Sequence, residues 1–106
     1  MSGNDNISFT LRVVAATTTL TDNDYVLSVE VPTANVTVNL PAVASVPAGR
    51  TFIIKRDATA TFTVTLDGNA SETINGATTR AVGAAATAGA AVIISDGGEW
   101  HVIGSY

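Results

Sequence analysis

At 106 residues and 10.8 kDa, the chain has room for one domain. Its composition, 46% apolar and 13% charged, excludes an intrinsically disordered chain, which needs low hydrophobicity and high charge. Five basic against nine acidic residues give a net charge of −4, which argues against nucleic acid as a partner. The absence of cysteine removes disulfides and thiolate metal or redox chemistry. The apolar residues are small: 17 alanines and 13 valines against five leucines. Each buried side chain therefore contributes less at about 25 cal/mol per Å². Such a chain is easier to explain as an oligomer subunit that buries further apolar area against copies of itself.

In chain order, Ser8 to Ala15 reads as a strand after a polar start. Residues 1–7 are expected to form a flexible arm, and residues 8–106 a single β-sandwich domain. Asp22-Asn23-Asp24 reads as a solvated turn; the further ligands of a calcium loop are missing. Tyr25 to Val31 alternates, with Tyr25, Leu27, Val29 and Val31 on one face and Pro32 closing the strand. Asn35 to Leu40 alternates in the same way and stops at Pro41. Arg50 to Arg56 sets Phe52 and Ile54 against Ile53 and Lys55, a strand buried on one side and covered on part of the other. The clearest strand is Thr61 to Leu66, with Phe62, Val64 and Leu66 on one face and three threonines on the other. Asp67-Gly68 and Asn75-Gly76 are turns.

The alanine-rich stretch Ala81 to Ala90 favours strand plus loop, because Gly83 and Gly89 leave barely one helical turn between them; a short helix is the alternative. Ala90 to Ser95 and Trp100 to Ser105 flank Asp96-Gly97-Gly98-Glu99, a strong hairpin signal. Seven or eight strands without a convincing helix point to an all-β fold, an antiparallel β-sandwich or jelly roll. The start of the chain has no basic residue or apolar run, so no secretory leader is expected. The uncharged run Ala81 to Ser95 is shorter than the roughly 20 residues of a membrane span. The expectation is a soluble protein made in the cytoplasm, with no membrane partner.

Candidate chemistry is sparse. His101 is the sole histidine and reads as an ordinary strand residue opposite Trp100 and Val102. None of the seven serines lies in a Gly-x-Ser-x-Gly elbow, and no Walker-type phosphate loop exists. Asp67, Glu72 and Asp96 read as separate turn acids rather than an acid–base pair. No catalytic residue, metal site or cofactor is therefore expected. Three matches to the glycosylation pattern, at Asn6, Asn35 and Asn69, are attributed to chance. Trp100 and Tyr106 could stack on a sugar, although a tryptophan opening a hairpin strand is more often core or interface.

Ser71-Glu72-Thr73-Ile74-Asn75-Gly76-Ala77, followed by Ser95-Asp96-Gly97-Gly98-Glu99-Trp100-His101-Val102-Ile103-Gly104, resembles a β-domain of tailed-phage virion proteins. That domain recurs at tail-fibre and tail-needle tips and in head decoration proteins. Val36-Thr37-Val38-Asn39-Leu40-Pro41 and Gly49-Arg50-Thr51 leading into Phe52-Ile53-Ile54-Lys55 fit the same style, and the likeness runs from about Thr17 to Ile103. The resemblance implies a homotrimeric, non-enzymatic β-sandwich knob on a virus particle. The domain begins almost at Met1 with no shaft before it, which suits a decoration (cement) protein. Such a protein docks on the outer surface of the assembled head, with the major capsid protein as partner. Asn4, Asn6 and Ile7 of the arm are the expected capsid contacts. The alternative is a receptor-binding tip of a tail fibre or needle, contacting a glycan through Trp100 and Tyr106.

Overall fold

The computed structural model describes residues 9–57, 61–84 and 87–106. The expected arm, residues 1–7, lies outside them. Nine strands are present among the described residues. They are β1 (Leu11–Val14), β2 (Thr18–Thr19), β3 (Val26–Val29), β4 (Val36–Asn39), β5 (Thr51–Arg56), β6 (Val64–Asp67), β7 (Thr79–Ala81), β8 (Gly89–Ser95) and β9 (Trp100–Ser105). One 3₁₀ turn, Val43–Ser45, follows β4. The all-β expectation holds. The strand positions read from alternation are recovered in the main, and the short β2 and β7 are additions. Two details differ: β6 takes in Asp67, expected in a turn, and leaves Phe62 outside the strand and 36% exposed, while Val31, expected on the buried side, lies past β3 at φ 47° and is 67% exposed.

The strands form a five-stranded sheet ordered β1-β3-β5-β8-β9 and a four-stranded sheet ordered β2-β4-β6-β7. The first six strands alternate between the two sheets, so each returns beside the strand two before it, in parallel. Leu11 pairs with Val26 and Val26 with Ile53 in one sheet; Val36 pairs with Val64 in the other. Among the described strands, β5–β8, β6–β7 and β8–β9 pair antiparallel. The expected all-antiparallel pairing is thus replaced by a mixed one. Alternation determines which side of a strand is buried and is silent about which strands pair. A parallel return needs a long crossover. Here a strand in the opposite sheet takes the place that a helix fills in βαβ units.

The inward sides of both sheets close on one core. Leu27, Val29, Phe52, Ile54, Ile93 and Trp100 come from the larger sheet, and Val36, Val38, Val64 and Leu66 from the smaller. Phe52 and Trp100 are fully buried with ring centroids 5.7 Å apart. Arg56 also points inward, with 1% of its surface exposed, and its Nη2 donates to the Phe62 carbonyl at 2.7 Å.

The alanine-rich stretch forms no helix in its described part; residues 85 and 86 lie outside it. Its glycines serve packing. A Cβ on Gly89 would come within 2.9 Å of both the Gly83 Cα and the Tyr106 carbonyl oxygen. The turn before the last hairpin uses Asn75 and Gly76, both left-handed at φ 50° and 85°, with Ile74 and Ala77 exchanging backbone hydrogen bonds across it.

Candidate functional site: an apolar sheet face

The outward sides of the two sheets have opposite character. On the four-stranded sheet, Thr37, Thr65 and Ala81 form one registered row, and Thr19, Asn39, Asp67 and Thr79 form the next. This is a polar surface suited to water. On the five-stranded sheet the central row is Leu11, Val26, Ile53, Val92 and Gly104. Ile94 stands beside it between Thr51 and His101. Val13 and Tyr106 lie at opposite edges, Val13 opening the row that runs through Ser28, Lys55 and Ala90. Leu11, Val13 and Tyr106 are 61%, 55% and 73% exposed.

Gly104 leaves the row without a side chain at its last position. A hollow of about 350 Å³ results, lined by Ile53, Lys55, Ala90, Val92, Gly104, Ser105 and Tyr106. Next to it β9 carries a bulge at Ile103, because Ile93 faces Val102 while Val92 faces Gly104. Ile103 is itself 61% exposed.

Polar groups frame this face. At one end Lys55 Nζ donates to Ser28 Oγ at 3.2 Å, and Ser28 Oγ donates to Glu30 Oε2 at 2.7 Å, which links the two charged side chains through one hydroxyl. At the other end His101 Nε2 and Asp96 Oδ2 lie 2.6 Å apart. The Asp96 carboxylate also accepts from the Gly98 and Glu99 amides at 2.7 and 2.8 Å. The His101 ring first, then these amides, hold the Asp96 pKa down at about 2, and Asp96 in turn raises that of His101.

Asp96, Glu99 and His101 place one metal-capable atom each within 4.8 Å of one another. Those atoms already have other work. Glu99 Oε1 accepts from Thr73 Oγ1 and the Gly76 amide at 3.0 and 3.1 Å, tying the hairpin turn to the Asn75-Gly76 turn. The cluster is a turn clamp. Sequence reading treated Asp96 and His101 separately, although a hairpin closed by Asp96 to Glu99 brings the two side by side.

The remaining expected site residues fall in different places. Asn4, Asn6 and Ile7 lie outside the described residues. Trp100 is fully buried against Phe52, so as a glycan-stacking platform it is corrected: the ring has no exposed face. Tyr106 is exposed, at the rim of the hollow.

The Asp22–Asp24 turn is solvated at Asp22 and Asn23, as expected, and buried at Asp24. Asp24 is 4% exposed and accepts two bonds from the Arg12 guanidinium, both at 2.9 Å. Arg12 continues to Thr18 Oγ1 and the Thr19 carbonyl, which ties β1 to β2 across the sheets. Burial pushes the Asp24 carboxyl up, and Arg12 with the Thr21 amide and hydroxyl outweighs it, leaving the pKa below the ordinary value. Arg50 bonds the Asp22 carboxylate at 2.7 Å and the Asp24 carbonyl, with its guanidinium 4.3 Å above the Phe52 ring.

No helix among the described residues is long and apolar enough to cross a membrane. No protein-family model matches the chain, and no curated protein matches it.

Proposed function

We propose that the chain is a non-enzymatic structural protein of a tailed-phage particle, a decoration (cement) protein that docks as a trimer on the outer surface of the assembled head. The observation that carries this reading is the contrast between a polar sheet face and an apolar one on the same small domain. A surface of Leu11, Val26, Ile53 and Val92 held rigidly by a five-stranded sheet is built for contact with protein. Its action would be mechanical. A trimer assembled through such a surface and seated where shell subunits meet would bridge them through contacts on the scale of about 1,000 Å² or more, and many copies on one lattice add by avidity. The sequence likeness to virion β-domains supports the setting, and the major capsid protein is the partner it implies.

The test is the copy number of this chain relative to the major shell protein in purified particles, by quantitative mass spectrometry. A ratio approaching one is expected. A few copies per particle would favour the receptor-binding tip, for which Tyr106 is the exposed one of the two expected rings. Finding none in the particle overturns both.

A further inference from the structure

We propose that the outer face of the five-stranded sheet is the surface through which copies of this chain bind one another, and that the polar outer face of the four-stranded sheet stays outside that contact. The inference deepens the reading above and rests on it only for the expectation of three copies.

Area supports a second copy as the occupant. Leu11, Val13, Tyr106 and the half-buried Val26, Ile53 and Val92 expose apolar surface on the order of 500 Å². A standard interface takes about 800 Å² from each partner, somewhat over half of it apolar. The face therefore supplies about what one side of a stable contact needs.

Charge supports it as well. The chain is net acidic at −4, yet the central row of this face, Leu11, Val26, Ile53, Val92 and Gly104, carries no ionisable side chain, and at its border Lys55 is linked to Glu30 through Ser28. Another copy meeting that row brings no charged side chain into its centre. Shape adds direction. Leu11 and Val13 stand out at the β1 edge, while the hollow beside Gly104 lies at the β9 edge, four strands away. Protrusion at one edge and recess at the other suit a head-to-tail contact, the kind that closes into a ring.

The test is the solution mass of the full chain by light scattering across a concentration series, for wild type and for two variants. The double variant Leu11→Asp/Val13→Asp alters two side chains already exposed in the single chain. Thr79→Asp alters an exposed position on the other sheet. Wild type is expected at three times 10.8 kDa, the double variant at 10.8 kDa, and Thr79→Asp as wild type. A wild-type chain that stays monomeric, or a folded double variant that keeps the wild-type mass, overturns the inference.

Should the double variant misfold, the natural lack of cysteine allows a second measurement. A single Val13→Cys is expected to react with a maleimide at least tenfold more slowly than a single Thr79→Cys at oligomer-forming concentration. Equal rates overturn the inference. Its failure is separable from that of the proposed function. A monomeric chain found at lattice copy number in particles leaves the decoration reading standing. An oligomer broken by the double variant, with no copies in particles, does the reverse.

Discussion

Outward positions on the four-stranded sheet are filled by Thr37, Thr65, Asn39 and Asp67; the equivalent positions on the five-stranded sheet hold Leu11, Val26, Ile53 and Val92. Both sheets turn β-branched and aliphatic side chains toward the same core, so the demands of folding are alike for each. The difference lies on the side folding does not use. A domain that needed only to stay folded would gain from threonine on both outer faces. An apolar outer face is what the proposed contact between copies would use.

The comparison breaks most severely if the two inner faces are not equivalent. Trp100→Ala, on the larger sheet, is expected to cost about 3–5 kcal/mol, and Leu66→Ala, on the smaller, about 2–5 kcal/mol. Urea unfolding at one fixed protein concentration measures both, because oligomerisation makes apparent stability concentration-dependent. A Trp100→Ala protein as stable as wild type would place the indole outside the core and restore it as a surface ring.

Next in size is the clamp that ties the sheets together at the β1–β2 edge. Removing one partner of a fully buried ion pair costs about 3–5 kcal/mol. Arg12 is 36% exposed, so the solvent-screened expectation for Asp24→Asn is smaller, about 1–2 kcal/mol. The pH dependence has a definite sign. The folded-state pKa of Asp24 lies below its ordinary value of 3.8. Its contribution is therefore full above that value and is lost as pH falls through the folded pKa. Thermal melts from pH 7 down to pH 2 should show wild type losing this increment and Asp24→Asn lacking it. Parallel curves would mean that the carboxylate gains nothing from Arg12.

How much of this was legible in the chain follows the same division between local and non-local causes. Threonine alternating with Val64 and Leu66 announces a strand with one wet side, and β6 has that form. Near-continuous apolar runs such as Phe52-Ile53-Ile54 and Ala90 to Ile94 announce a strand covered on both sides, without saying by what. The hairpin of β8 and β9 was legible because Asp96 to Glu99 is a local turn. Parallel pairing of β1, β3 and β5 was not, since no local pattern tells a strand which neighbour it will meet. The Arg12–Asp24 clamp depends on that pairing and was hidden with it. Arg56 shares the inward side with Phe52 and Ile54, where alternation puts it; the room beside it is kept open by Gly83, where a Cβ would come within 3.2 Å of the Arg56 Cδ, a role that in sequence looked only like helix breaking.

The smallest expected effect is at the rim of the apolar face. His101 and Asp96 are exposed, so their pairing is read by titration rather than by stability. Asp96 raises the pKa of His101 above 6.5, and His101 helps hold Asp96 at about 2. The contribution of Asp96 is full above 3.8 and is lost as pH falls through about 2; that of His101 is full below 6.5 and is lost as pH rises through its folded pKa. Proton NMR of the single histidine should give a midpoint above 6.5 in wild type, moving down toward it in Asp96→Asn. An unchanged midpoint would dissolve the pair. The same titration in Leu11→Asp/Val13→Asp sharpens the contrast between apolar centre and polar frame. If copies cover the centre and leave the frame wet, the His101 midpoint is the same in oligomer and monomer. A shift between them would extend the buried contact to the hairpin turn.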